Sequence, residues 1–230
     1  MILCQIGWAL LVLTAPQAFI LPGIFILIAC ELFVPYYAEL ASDSSYHRHH
    51  IIERYGLLTI IVLGESLLAI TIAIGTVAAG DVGPQLIASI IGGLLIMFVS
   101  WWLYFGENEY RLFATKRDTF VWGYTHVVIF GSIAATGAGL AVMVDFLTDH
   151  AKIGMIAANA SVTIPTAIFL VSLWFIHERP KVQPAVQHWL LPATAAVILL
   201  TSVLPYAVLI TGIVLVICLG LKLWYEVGAQ

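Results

Sequence analysis

The sequence alternates long apolar runs with short polar segments. Most of the runs approach the roughly 20 residues that an α-helix needs to cross a bilayer. The longer runs occupy about 18–37, 57–79, 86–105, 121–144, 154–176, 187–203 and 206–222, after a shorter run at about 1–15. This pattern predicts an all-α fold: a polytopic transmembrane helix bundle with about seven complete spans and one partial N-terminal helix.

The boundary between the last two runs is the least defined. Residues 202–205 end in Pro205, and a proline can either kink one long helix or end a helix. The segment 187–222 is therefore expected to be either two spans or one kinked helix.

The composition places the whole chain in a membrane. Of its 230 residues, 62% are hydrophobic and 10% are charged, against about 25% charged residues in a soluble domain. Residues 1–230 are therefore expected to form a single transmembrane helical domain whose main partner is the lipid bilayer. No basic stripe with interleaved aromatic residues occurs, so nucleic acid is not an expected partner.

The sequence carries no motif of a known enzyme chemistry. Cys4, Cys30 and Cys218 lie far apart in apolar surroundings and lack a metal-binding spacing, so they are interpreted as buried thiols. No nucleophile elbow, phosphate loop or HExxH motif is present. We therefore expect no enzyme activity, no catalytic residue, no cofactor and no metal site.

Lysine and arginine are distributed unequally between the two predicted sides of the membrane. If consecutive helices alternate in direction, all nine of these residues except Lys152 lie on one side. Cytoplasmic loops carry an excess of lysine and arginine. The 47–54 segment and the C-terminus are therefore predicted to be cytoplasmic.

Glu65 is the only acidic residue inside the 57–79 run. A charged side chain at the centre of a membrane helix costs roughly 2.5–3.5 kcal/mol to insert, so Glu65 is expected to have a polar partner or a function. Ser100 and Ser132 lie at a similar predicted depth and are candidate partners. Two interpretations stay open: Glu65 binds a proton or cation in a transport path, or it is a neutral carboxyl that forms an interhelical hydrogen bond.

A polar group at the start of the same helix is the second candidate site. Arg54 lies 11 residues before Glu65, so the two share a helix face but stand about 16 Å apart. They are too distant to pair directly. His50, Glu53 and Arg54, together with His126 near the start of another span, are expected to shape a cytoplasmic mouth.

The same polar group contains four side chains that could bind a metal ion. They are His47, His49, His50 and Glu53. These residues lie beside two arginines in a segment expected to be solvated, and a histidine-rich interface needs no metal. We therefore favour a solvated or pH-responsive surface over a metal site.

Other patterns have mainly structural interpretations. The aromatic residues at one end of the 86–105 run are expected to anchor the helix at the membrane interface; they are Trp101, Trp102 and Tyr104. Small residues that predict close helix packing are Gly92, Gly93, Gly131, Ala135 and Gly139. Asn159, Ser161 and Thr163 precede Pro165 in mid-span, where a freed carbonyl could line a polar cavity.

Several ordered motifs are similar to those of one protein family. Residues 50–66 read HIIERYGLLTIIVLGES, residues 101–105 read WWLYF, and Tyr124 and His126 precede a glycine-rich helix. Together they resemble the bacterial low temperature requirement A family of multi-spanning membrane proteins. The resemblance starts near residue 20 and weakens after Pro180.

The resemblance implies a location more than an activity. It implies a bacterial cytoplasmic membrane and a chain that corresponds to the C-terminal portion of a longer protein, because family members usually begin with further helices. The family name implies a link to growth in the cold but no molecular activity.

The sequence alone does not decide between two functions. The leading hypothesis is a proton- or cation-linked transporter in which Glu65 is the intramembrane acid. The alternative is a non-transporting sensor or assembly module in which Glu65 joins two helices by a hydrogen bond. A small ion or proton is the expected ligand in the first case, and a homo-oligomer is open in both.

Overall fold

The computed structural model describes residues 2–41, 48–78, 83–106, 116–181 and 183–227. Every regular element in these ranges is helical, which confirms the predicted all-α bundle. The helices are α1 (Ile2–Thr14), α2 (Gln17–Ala41), α3 (Arg48–Ala78), α4 (Pro84–Phe105), α5 (Lys116–Leu147), α6 (Met155–Leu173), α7 (Ala185–Thr201) and α8 (Ala207–Val227). A π-helical segment, Trp174–Glu178, continues α6.

Six of the described helices are long and apolar enough to cross a membrane. They are α2, α3, α4, α5, α6 with its π-helical segment, and α8. The two shorter apolar helices are α1 with 13 residues and α7 with 17 residues. The sequence pattern predicts α7 as a complete span, but the helix falls short of the roughly 20 residues that a straight crossing needs.

The first compact unit, Met1–His47, contains α1 and α2. Gly23 faces the side chain of Leu11, and Gln5 Nε2 donates a hydrogen bond to Glu31 Oε1 at 2.8 Å. These contacts require the two helices to run antiparallel. The carboxyl of Glu31 thus has a polar partner inside its own unit.

The second compact unit, Arg48–Gln230, is a bundle of α3 to α8. Within it, α5 packs against α3, α4 and α6, while α8 packs against α4 and α7. Its fully buried apolar side chains include Ile96, Ile129, Val162, Leu170, Ile198 and Leu215. Because lipid tails are as apolar as these side chains, close packing between helices holds such a bundle together in a membrane.

Glycines set the closest approaches between helices of this bundle. A Cβ atom on Gly92 of α4 would lie 2.5 Å from the Val208 carbonyl of α8, and Gly212 of α8 lies against Gly92 in return. A Cβ atom on Gly139 of α5 would overlap the Ser161 carbonyl oxygen of α6. The predicted packing role of Gly92 and of Gly139 is therefore confirmed.

Two other small residues of α5 do not pack as predicted. Gly131 and Ala135 lie on an exposed face of the helix, and a Cβ atom on Gly131 would meet nothing within 4 Å. Gly137 takes the expected role instead, because a Cβ atom there would lie 2.6 Å from the hydroxyl of Ser66 on α3. The packing positions of α5 are thus shifted from the sequence prediction.

This difference makes a matched pair of substitutions informative. Gly139→Ala should lower the free energy of unfolding by about 1–3 kcal/mol, because the new methyl group overlaps backbone atoms of α6 that cannot easily move. Equilibrium unfolding in mixed detergent micelles measures the change. Gly131→Ala is the control and should not destabilise the bundle; equal losses in both variants would contradict the placement of α5.

The last two apolar runs form separate helices. The chain turns between Thr201 and Ala207, where Tyr206 adopts a φ of 60°, and α7 then packs against α8. Asn159 of α6 holds this turn, because its Nδ2 donates hydrogen bonds to Ser202 O at 2.9 Å and Leu204 O at 3.1 Å. The alternative of one kinked helix over 187–222 is therefore excluded.

Candidate functional site

A π-helical turn places two ionisable residues in the interior of the second unit. At the end of α6, Arg179 N–H donates a hydrogen bond to Trp174 O at 2.8 Å, five residues back along the chain. Both His177 and Glu178 are buried in this segment, with 1% and 5% of their surfaces exposed. Segments with π-helical geometry are rare and frequently lie at functional sites.

The carboxylate of Glu178 is surrounded by donors from two parts of the chain. Lys222 of α8 donates a hydrogen bond to Oε1. Lys181 Nζ lies 3.5 Å from Oε2, and Gln183 Nε2 donates to Oε2 at 2.9 Å. Desolvating the charges of a buried ion pair is costly, and the cost is offset only by good geometry and additional hydrogen bonds, which these donors supply to Glu178.

His126 of α5 is fully buried and bonded through both ring nitrogens. Its Nδ1 lies 2.8 Å from Trp122 O, and its Nε2 lies 2.9 Å from the Tyr104 hydroxyl. A carbonyl oxygen can only accept a hydrogen bond, so Nδ1 must carry a proton. In the neutral imidazole, Nε2 therefore accepts from the Tyr104 hydroxyl.

Tyr104 of α4 connects the two buried groups. Its ring centroid lies 5.7 Å from that of His126 and 6.3 Å from that of His177, and its side chain is buried. Tyr55 of α3 closes the other side of His126, at 4.9 Å between ring centroids. We define the polar cluster as Tyr104, His126, His177, Glu178 and Lys222.

Buried hydroxyl groups continue from the polar cluster toward the far end of the bundle. Ser132 and Thr136 follow His126 on α5 and are buried. Thr136 Oγ1 lies 3.5 Å from Thr166 Oγ1, and Thr163 Oγ1 lies 2.6 Å from Ser202 Oγ. Polar groups therefore occur at successive depths of an otherwise apolar interior.

A small cavity lies at that far end. Its volume is ≈ 30 Å³, and its lining includes Gln85, Ser89, Asn159 and Tyr206. Most of its lining is apolar, but these polar side chains could hold an ordered water, for which the volume has room. Asn159 and Thr163 otherwise bond to the turn that follows α7, and Ser161 Oγ donates to Gly139 O at 3.2 Å. Their predicted role as the lining of a substrate path stays a prediction.

Glu65 lies apart from this cluster. Its side chain is on the exposed face of α3, whereas both predicted partners, Ser100 and Ser132, are buried inside the bundle. The next residue, Ser66, points inward instead and donates a hydrogen bond to Ile133 O of α5 at 3.1 Å. The role of Glu65 as a transport acid stays a prediction, and the structure brings no buried polar group to it within the described residues.

The residues of the predicted mouth also have different surroundings from one another. His50, Glu53 and Arg54 are exposed at the start of α3, with His50 Nδ1 3.7 Å from Glu53 Oε2. His126 is buried in the bundle. His47 and the side chain of His49 lie outside the described residues. Among the described residues, no group of three or more His, Cys, Asp or Glu side chains is arranged to hold a metal ion.

Four members of the polar cluster were not predicted as site residues. Tyr104 is predicted as an interface anchor, which is wrong because only 2% of its surface is exposed; Trp101 and Trp102 beside it are exposed, at 45% and 49%. The residues without any predicted role in a site are His177, Glu178 and Lys222. A signal for them existed: the carboxyl of Glu178 directly ends a long apolar run, and a histidine precedes it.

The fold and the site together define a multi-pass helical membrane protein with ionisable side chains buried in its bundle. The family model described as bacterial low temperature requirement A protein (LtrA) matches residues 1–222. The chain therefore belongs to the LtrA family. The match extends farther toward both ends of the chain than the motifs at residues 50–66, 101–105 and 124–126. No curated protein and no solved structure matches the chain.

Proposed function

We propose that this LtrA-family chain is a non-enzymatic, proton- or cation-linked transporter of the bacterial cytoplasmic membrane, with the polar cluster as the site that holds the ion. One observation carries the proposal: His126, His177 and Glu178 are buried together inside a membrane bundle, where Glu178 forms an ion pair with the half-buried Lys222. Ionisable residues within membrane segments are costly and mark ion paths and proton relays in many proteins.

The bonds of His126 suit a group that takes up and releases a proton. In its neutral form, Nε2 accepts from the Tyr104 hydroxyl; after protonation, Nε2–H donates to the same oxygen across the same 2.9 Å contact. Only the Tyr104 hydroxyl hydrogen must turn. The proton can therefore be held without loss of the hydrogen bond to Trp122 O.

In this transporter, the proton or cation enters and leaves at the two ends of the bundle. Lys181 pairs with the buried Glu178 while its own side chain is 37% exposed, so the polar cluster reaches the bundle surface there. The bias of lysine and arginine supports a cytoplasmic location for this end and for the C-terminus. The buried hydroxyls between His126 and the Asn159 cavity support a path toward the opposite side.

Proton flux into proteoliposomes tests this proposal. The purified chain is reconstituted with a trapped pH dye, a pH gradient is imposed, and the membrane potential is clamped. We expect wild type to dissipate the gradient faster than empty vesicles, and His126→Gln to be slower than wild type by at least about tenfold, because the amide cannot take up a proton. A trapped cation dye in parallel vesicles separates proton from cation movement.

His150→Gln is the matched control, because it removes an exposed histidine that belongs neither to the polar cluster nor to the predicted mouth. It should leave the flux unchanged. Both variants are first checked for a single peak in gel filtration. Flux by wild type equal to that of empty vesicles with both dyes would overturn the proposal, as would equal flux by wild type and His126→Gln.

A non-transporting assembly module is the second candidate, and the position of Glu65 favours it. A carboxyl on the outer face of a membrane helix is suited to join that helix to another by a hydrogen bond. This function requires no flux, and it requires that Glu65 substitutions change association while His126→Gln does not.

A further inference from the structure

Helix α8 begins deep inside the second unit. A Cβ atom on Gly92 of α4 would overlap the backbone of Val208 in α8, so these two residues are level with each other. Gly92 comes eight residues after Pro84, where the apolar span of α4 starts, and eight residues correspond to about 12 Å along a helix. The first turn of α8 therefore lies within the depth that α4 crosses, and not at the end of the bundle.

The turn before α8 lies at the same depth when it is measured along α6. Thr163 comes eight residues after Met155, the first residue of α6, and its Oγ1 lies 2.6 Å from Ser202 Oγ in the turn. This position is again about 12 Å from the end of the helix. The turn between α7 and α8 is thus sunk into the bundle, which explains why α7 needs only 17 residues.

The sunken start of α8 contains backbone groups that the helix itself does not satisfy. The first hydrogen bond of α8 runs from Ile210 N–H to Tyr206 O, so the N–H groups of Ala207 and Val208 precede it. Both residues are 1% exposed, and no described side chain accepts a hydrogen bond from either N–H group. Irregular backbone at membrane depth is tolerated where it is buried in protein or lines a water-filled cavity.

Asn159 of α6 supplies a hydrogen-bond acceptor at the same place. Its side chain is 3% exposed, and it lines the small cavity together with Ala207 and Val208. Both amide hydrogens are used, because Nδ2 donates to Ser202 O and Leu204 O. Oδ1 receives no hydrogen bond from a described residue, so it is the part of the amide that is left to face the cavity.

Ser89 of α4 adds a hydroxyl group to the same cavity. Buried hydroxyls elsewhere in the bundle donate to a carbonyl one turn back, as Thr166 Oγ1 does to Val162 O. Ser89 Oγ lines the cavity and bonds to no described residue. It precedes Gly92 by three residues, so it lies on the face of α4 that meets α8. Donors from α8, an acceptor from α6 and a hydroxyl from α4 therefore meet at one cavity of ≈ 30 Å³.

This mixture of donors and acceptors selects a neutral ligand. The positive end of the α8 dipole disfavours a cation, and the carbonyl oxygen of Asn159, which can only accept, disfavours an anion. Water both accepts and donates, and an ordered buried water makes roughly three hydrogen bonds. The cavity has both the polar groups and the volume for it.

We infer that this cavity is a binding site for ordered water, in which a water accepts a hydrogen bond from the first turn of α8, donates one to Asn159 Oδ1 and bonds to Ser89 Oγ. The water caps α8 at a depth where no side chain does so, and it joins α4, α6 and α8. The inference does not depend on the proposed transport, because no member of the polar cluster takes part.

Radiolytic labelling of the chain in lipid nanodiscs tests the inference. An X-ray pulse converts bound water into hydroxyl radicals, which oxidise the side chains beside them. Met143 of α5 is 4% exposed and lines the cavity, whereas Met97 of α4 is 3% exposed and does not line it. We expect Met143 to be oxidised and Met97 to stay at background. The oxidation of Met143 should persist with a radical scavenger that is too large to enter the cavity.

A substitution that fills the cavity separates bound water from other sources of labelling. Ser89→Leu adds an apolar side chain and removes one polar partner, so the oxidation of Met143 should fall to the level of Met97. Gly131→Leu adds the same side chain on an exposed face of α5 and should leave the labelling at the wild-type level. Both variants are first checked for a single peak in gel filtration, and the wild-type comparison stands even if Ser89→Leu does not fold.

Four results would overturn the inference. Three of them are a wild-type Met143 that is oxidised no more than Met97, oxidation that the scavenger abolishes, and equal oxidation in wild type and a folded Ser89→Leu variant. The fourth is oxidation of Met143 that changes when choline replaces sodium and potassium in the buffer, because a cation would then occupy the cavity.

Discussion

Glu178→Gln should lower the free energy of unfolding by about 3–5 kcal/mol, the largest loss expected from a single conservative substitution in this chain. The substitution removes the negative charge from a side chain that is 5% exposed and leaves the half-buried Lys222 beside a neutral amide. Equilibrium unfolding in mixed micelles measures the loss. Glu53→Gln is the control. It removes a carboxylate from an exposed pair with His50 and should leave the free energy of unfolding unchanged.

A double-mutant cycle separates the ion pair from other effects of the change. Lys222→Met alone should also destabilise, whereas the double variant should recover a large part of the loss, with a coupling energy of about 2–3 kcal/mol. Recovery is expected because two neutral side chains avoid the desolvation cost that the pair must offset. A Glu178→Gln variant as stable as Glu53→Gln, or additive losses in the cycle, would show that the buried pair does not hold the end of α6.

The positions of the helices could be predicted from the sequence, because a membrane helix needs a long uninterrupted apolar run to satisfy its backbone in lipid. The run at 86–105 corresponds to α4 and the run at 154–176 to α6 with most of its π-helical segment. The separation of α7 from α8 could not be predicted, because it depends on hydrogen bonds from Asn159, a residue more than 40 positions away.

Which face of each helix is buried could not be predicted. In a soluble protein the apolar face identifies the core, but a helix in lipid is apolar on both faces and loses that signal. Glu65 and Ser66 are adjacent, yet one is exposed and the other reaches α5. The same lack of signal explains why Gly137, and not Gly131, meets a neighbouring helix.

Most residues of the polar cluster could not be predicted from the sequence, for a related reason. Polar and aromatic residues near a helix end look the same in sequence whether they lie at the membrane interface or enter the bundle. Tyr104 follows two exposed tryptophans but turns inward, and the π-helical turn moves His177 and Glu178 inside at the point where an apolar run ends. His126 could be identified because it stands alone in an apolar stretch, and burial confirms that it faces the bundle.

His126→Ala should lower the free energy of unfolding by about 3–5 kcal/mol, because it leaves a cavity and removes the partner of two buried polar atoms at once. Those atoms are the Trp122 carbonyl oxygen and the Tyr104 hydroxyl. Tyr104→Phe removes only the hydroxyl from the same contact and should cost about 1–3 kcal/mol. Unfolding in mixed micelles resolves the two values. His50→Ala, at an exposed position, should match wild type. If His126→Ala is no less stable than Tyr104→Phe, the imidazole does not bridge α4 and α5, and the proton-holding geometry fails with it.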